Sequence, residues 1–290
     1  MHTPSTESST PAVASAGLSA RAARTWDLVN KSGIVMVFII LFAVLSFTVP
    51  DFLSSRNIQG LLLSVTLIGS ISVTMMFVLA LGEVDLSVAS IVAFAGVVAS
   101  TLITATHSVM LGVAGGVLAG GAVGLVNGVL IARYKINSLI VTLAMMEVVR
   151  GLAFITSHGD AVMISEESFF DLGGGAFLGI SFPIWSNIIG FVLFGFLLKK
   201  TVFGKNVLAV GGNSEAALLA GLPVTRIKIT VFVLQGLVTG FAGVMLASRM
   251  SLGDPKTSVG LELGVISACV LGGVSLTGGV ATISGVLVGV

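Results

Sequence analysis

The sequence predicts an all-α fold: a polytopic helical membrane protein of about eight to ten transmembrane helices, some of them broken or re-entrant. Three observations carry that reading. Hydrophobic residues make up 55% of the 290 positions and charged residues only 9%, against about a quarter charged in soluble domains. Apolar runs long enough to cross a bilayer recur along the chain. Lys and Arg collect in alternate connections, as loop asymmetry in membrane proteins requires.

Residues 1–31 read as a tail on the cytoplasmic side. The first 24 are rich in Ser, Thr, Ala and Pro without an apolar core, which marks a disordered segment and not a signal peptide. Arg21, Arg24 and Lys31 then precede the first apolar run, 33–49, and keep the N-terminus inside. Residues 32–290 form the membrane domain. Its further runs lie at 58–81, 86–105, 108–132, 136–156, 183–198 and 229–247. The last apolar region, 263–290, is interrupted by glycines and stops without a polar end, so the sequence reads as truncated there. Started inside, this threading places ten Lys and Arg in cytoplasmic segments, three outside, and Arg150 within a span. The outer loop 157–182 holds four acids and no Lys or Arg, and its glycines at 173–175 leave it room to shift between states.

The small residues of 112–128 (GVAGGVLAGGAVGLVNG) allow close backbone approach and place that span centrally. Two polar, glycine-bearing breaks match in register: LGEVDLS at 81–87 and LGGVSLT at 271–277. Paired breaks in two halves point to an internal repeat with a path between them, because freed backbone groups need protein or water around them.

The insert 199–228 is the long hydrophilic stretch with clustered positive charge. Within it, Asn213 or Ser214 caps a helix over 215–220 that carries Glu215 in its first turn, and Gly221 and Pro223 end it. Two turns are too short to be stable alone in water, so this helix docks against something.

No G-x-x-x-x-G-K-S/T loop, H-E-x-x-H, G-x-S-x-G or cysteine pair occurs, so the chain does not hydrolyse ATP by the usual loop and no cofactor is expected. His2, His107 and His158 lack ligand spacing. Cys269 reads as a small buried hydrophobe. Nothing in the charge pattern suggests nucleic acid. Glu83 and Asp85 flank the first break, and Asp85 or Ser87 can cap the helix that follows. Glu147 and Arg150, three apart on one helix, read as a structural pair. Asn127, Thr142 and Gln235 can bond a solute or a neighbouring helix. An ion-coupled symporter would need a titratable site at mid-membrane, for which Asp85 and Glu147 are the candidates.

Four blocks, GEVDLSVAS at 82–90, GLVNGVLIARYKINSLIVTLAMMEVVRGLAF at 124–154, TVFGKNVLAVGGNSEAALLAGLPVTRIKI at 201–229 and ISACVLGGVSLTGG at 266–279, resemble the permease subunits of bacterial monosaccharide ABC importers. VMISEESFFDLG at 162–173 and 247–276 are most similar to the arabinose-transporting members. The resemblance covers nearly the whole chain after the tail. It implies a non-catalytic permease, homodimeric in the bacterial inner membrane, with a cytoplasmic ABC ATPase subunit and a periplasmic sugar-binding protein as partners. It also implies that 211–224 supplies a helix entering a groove of the ATPase, which assigns Gly211, Gly212, Asn213, Glu215, Ala216, Ala217, Gly221 and Pro223 to coupling. Glu83, Asp85, Ser87, Asn127, Gln235 and Ser275 are the candidates for the translocation path.

Overall fold

A computed structural model describes residues 36–290. The tail expected at 1–31 lies outside the described residues. The chain divides into two units at Leu53 and Ser54. In the first, α1 (Met36–Thr48) is a short apolar helix, with Phe42 set edge-on to Phe52.

The second unit is the bundle. It runs α2 (Ser55–Ala80), α3 (Val88–Thr106), α4 (Val109–Ala132), α5 (Ser138–Thr156), α6 (Glu167–Gly174), α7 (Phe182–Lys200), α8 (Val202–Gly212), α9 (Ser214–Leu219), α10 (Val224–Met250), α11 (Leu261–Leu271) and α12 (Ile283–Gly289). Six of these, α2, α3, α4, α5, α7 and α10, are long and apolar enough to cross a membrane. The last apolar region, expected to be broken by glycines, is two pieces, α11 and α12, divided by the glycine-bearing segment between them.

Several helix starts have a local cause. The side chains of Ser54, Ser108 and Thr201 accept from the backbone N–H of Asn57, Leu111 and Gly204, and so cap α2, α4 and α8. The cap expected of Asp85 or Ser87 is not made. α3 begins at Val88, and the side chain of its N-cap residue Ser87 accepts no cap bond; Asp85 instead closes a turn before the helix, its Oδ1 accepting from Ser87 N at 2.9 Å.

α4 and α10 form the centre of the bundle through a glycine seam. Gly112, Gly116, Gly120, Gly124 and Gly128 recur every fourth residue on one face of α4, and all are buried. A Cβ on Gly120 would lie 2.4 Å from Gly236 O, and one on Gly124 would lie 2.2 Å from Phe232 O. Only glycine lets these backbones come so close, which is the packing role the composition predicted. The far side of α4, with Met110, Leu118 and Leu125, stays exposed.

The loop 157–182 is folded. A two-stranded antiparallel ladder pairs β1 (Val162–Met163) with β4 (Leu252–Gly253), and β2 (Ala176–Phe177) makes a hairpin with β3 (Ile180–Ser181). Between them α6 buries Phe169. Ser248 Oγ, on α10, donates to Phe169 O (2.5 Å) and accepts from Gly173 N (2.7 Å), so the glycines at 173–175 serve docking as well as bending.

Candidate coupling site and translocation path

α9 is short but fully capped. Asn213 Oδ1 accepts from Ala216 N at 2.9 Å, with Glu215 in the first turn, where a carboxylate favours the positive end of the peptide dipoles. At the other end Gly221 takes φ +84°. Leu222 N donates to Ala217 O (3.0 Å) and Gly221 N to Leu218 O (2.9 Å), a Schellman termination that a left-handed residue permits. Pro223 then sits at the N-cap of α10. Ala217 is the one buried residue of α9. Asn213, Glu215 and Ala216 are exposed, and so are Leu218 (63%) and Leu219 (89%). Those two leucines were not singled out in the sequence. The signal available was the apolar pair beside the Gly221 stop, on a helix expected to dock.

α8, which precedes α9, was read as part of a hydrophilic insert. Thr201 caps it, and Val207 and Val210 are buried. Its end is pressed into the bundle: a Cβ on Gly211 would lie 1.7 Å from Ala80 O and 2.8 Å from Gly279 N. Gly212 is exposed, with its Cα 2.9 Å from where a Cβ of Gly279 would sit. Gly211 therefore fills a position where no side chain fits, directly before the α9 cap.

The two sequence breaks meet at this same point. Gly279 N donates to Ala80 O at 2.9 Å, and a Cβ on Gly278 would lie 2.6 Å from Gly211 O and 2.9 Å from Gly82 N. Both breaks open with the same termination. Glu83 N donates to Val78 O (3.2 Å) and Gly82 N to Leu79 O (2.8 Å); Val274 N donates to Cys269 O (3.0 Å) and Gly273 N to Val270 O (2.9 Å). Gly82 and Gly273 both have positive φ, +74° and +80°. The structural equivalent of Gly82 is thus Gly273, one residue beyond the Gly272 that the sequence register paired with it.

The six path candidates fall into separate settings. Glu83 forms an ion pair with Lys228, on the first turns of α10, and both side chains are largely enclosed. Lys228 had been placed in the cytoplasmic loop, yet α10 begins at Val224 and carries it. Asp85, Ser87 and Asn127 form one sealed chain with no solvent exposure. Asn127 Nδ2 donates to Ser87 Oγ (2.9 Å), and Ser87 Oγ donates to Asp85 Oδ1 (2.6 Å). This chain locks α4 to the first break. Gln235 is buried on α10, its Nε2 3.5 Å from Thr239 Oγ1. Ser275 caps its own turn, its Oγ 2.8 Å from Thr277 Oγ1. Thr142 Oγ1 bonds back to Ser138 O at 2.8 Å.

The Glu147–Arg150 pair is not formed. Arg150 Nη1 donates to the carbonyls of Pro255 (2.7 Å) and Thr257 (2.8 Å), beyond the end of α10. Both bonds come from one guanidinium nitrogen, so the two N–H groups of Nη1 are spent on these carbonyls. Among the described residues no cluster of His, Cys, Asp or Glu has metal-binding geometry.

A bundle of apolar spans with an exposed, doubly capped helix at one end is the architecture of a transporter's membrane subunit. The chain belongs to the family described as "Branched-chain amino acid transport system / permease component", whose model matches residues 57–290. It is 91% identical over 265 residues to the L-arabinose ABC transporter permease protein AraH of Azospirillum brasilense, covering 91% of this chain and 78% of that one. It is 51% identical to the L-arabinose transport system permease protein AraH of Escherichia coli (strain K12), covering 92% and 80%. Identity to the ribose import permease protein RbsC of the same strain is 34%, over 92% and 84%. No solved structure matches the chain.

Proposed function

We propose that this chain is the non-catalytic permease subunit of an ATP-driven ABC importer that carries a monosaccharide, L-arabinose, across the bacterial inner membrane. The names and identities of the two AraH relatives support the sugar. The observation that carries the coupling role is α9: a helix whose two ends are satisfied internally and whose Leu218 and Leu219 are left to an apolar partner surface. A cytoplasmic ATPase subunit supplies that surface, and a periplasmic sugar-binding protein docks at the opposite end. The distribution of Lys and Arg supports a cytoplasmic N-terminus.

The geometry supports a mechanism. Closure of the ATPase draws α9 with it, and α9 continues directly from α8. Gly211 bears on Ala80 and Gly279, so both breaks move together instead of one after the other. The Glu83–Lys228 pair ties the first break to α10, the helix that spans the bundle centre.

The permease works as a homodimer. α5 exposes the apolar side chains of Ile140, Leu143, Val148 and Ile155. A second copy of the chain covers that face. Crosslinking of Val148→Cys permeases into covalent dimers checks this, and monomers alone in the presence of oxidant would refute it.

For the coupling role the test is uptake by vesicles holding permease, ATPase and binding protein. Leu219→Asp changes a side chain that packs on nothing within the chain, so the permease accumulates normally while ATP-driven uptake is lost. Normal uptake by this variant sinks the assignment.

A further inference from the structure

Between α3, α5, α11 and the α10–α11 connection lies a cavity of about 310 Å³. Ser90, Glu147, Arg150, Lys256 and Glu262 supply its polar lining, and Met146 and Phe154 part of its apolar lining. None of the six path candidates read from the sequence lines it.

Three properties define what such a cavity holds. Its size sits at the lower end of the range of about 300–1,000 Å³ seen for small-molecule sites, which suits one small ring and not a chain of them. Its two carboxylates and two cations cancel, so it has no net charge with which to trap an ion. Its hydrogen-bonding capacity is unspent: Ser90 Oγ and Glu262 Oε2 are buried without a partner among the described residues. Arg150 is already held by the carbonyls of Pro255 and Thr257, so it is fixed in place with other N–H groups remaining. Unspent buried polar atoms beside a roomy cavity call for a solute that supplies hydroxyls.

We infer that this cavity is the station where the permease holds an uncharged, polyhydroxylated solute of monosaccharide size in transit. Glu147 and Glu262 accept from its hydroxyls, Arg150 and Lys256 donate to them, and Phe154 and Met146 pack against its C–H faces. The assignment rests on the transport reading above and adds to it where the cargo sits. The cavity is also joined to the drive. Ser90 lies on the first turn of α3, three residues after Ser87, whose hydroxyl bonds Asp85 and Asn127. The same segment begins at Gly82, against Gly278, which in turn lies against Gly211. A displacement of α9 therefore reaches the cavity floor through one short stretch of extended chain.

The experiment uses vesicles with permease, ATPase and binding protein, and reads L-arabinose moved per ATP hydrolysed. Glu147→Leu and Glu262→Leu each lower that ratio about tenfold or more, the loss expected for hydrogen bonds to a charged acceptor. A merely damaged permease would lose uptake and hydrolysis together. An unchanged ratio in both variants overturns the cavity assignment. Failure of the unaltered permease to import arabinose or ribose overturns the transport reading instead, so the two failures are distinct. A second measurement uses Met146→Cys, since the native Cys269 is fully buried. Excess L-arabinose slows its modification by a small water-soluble thiol reagent. Modification indifferent to sugar, or none at all, counts against the proposal.

Discussion

The two ends of the bundle are built on opposite principles. At the α9 end, Gly82, Gly211, Gly278 and Gly279 bring three backbone segments together with little or no room for a Cβ, and the charges there, Glu83 and Lys228, neutralise each other. At the far end short ladders, a hairpin and α6 cover the helices, Arg150 is pinned by loop carbonyls, and a cavity with unpartnered polar atoms remains. Close-packed backbone transmits displacement because it cannot absorb it. A cavity admits a solute because its polar groups have not been satisfied by one another. The contrast separates a driven end from a receiving end within one chain.

The largest expected effect comes from breaking the driven end. Gly211→Val places a branched side chain where even a Cβ would sit 1.7 Å from Ala80 O. Backbone on both sides must shift, at a cost of about 1–3 kcal/mol or more. Uptake falls to background and the ATPase subunit no longer co-purifies with the permease. Gly212→Ala, at an exposed position where a Cβ meets only Gly279 Cα at 4.0 Å, keeps most of the uptake. Equal effects of the two substitutions would remove the distinction on which the driven end rests.

Much of this was legible in the chain because its causes are local. The α9 helix follows from Asn213, Glu215 and Gly221, all within one short window, and the glycine seam from spacing alone. α8 was hidden because Gly204, Lys205 and Asn206 dilute an apolar pattern that only burial of Val207 and Val210 against α2 and α7 reveals. The two matching breaks are paired one residue out of register by sequence, since Gly272 and Gly273 are adjacent and only backbone φ decides which is the left-handed one. Arg150 was paired with its helical neighbour Glu147 because its true partners, at Pro255 and Thr257, are more than a hundred residues away. The cavity is assembled from three such distant segments, and no single stretch announces it.

A middle-sized effect sharpens the comparison at the ion pair. Removing one partner of an enclosed pair leaves the other charge without compensation, which costs more than removing both. Lys228→Ala alone therefore destabilises the permease by about 1–3 kcal/mol, and Glu83→Gln restores part of the loss when combined with it. Thermal unfolding of the single and double variants in detergent measures the difference. Additive losses would mean that the pair contributes nothing and that the first break is held to α10 by other contacts.

The smallest effect belongs to the receiving end. His107, the C-cap of α3, places Nδ1 2.8 Å from Glu166 Oε1. The hydrogen bond from His107 holds the Glu166 carboxyl below the ordinary glutamate value. A lowered folded-state value means the contact adds stability above the unfolded-state value, and that this is lost as pH falls through the folded one. His107 is 81% exposed, and water and salt screen such a pair, so the effect is slight. Thermal unfolding followed from neutral to acid pH should show the permease and its His107→Ala variant converging once Glu166 is protonated, with a small gap at neutral pH. A gap that widens as the solution is acidified would reverse the sign and place the source of the acid response elsewhere than in Glu166.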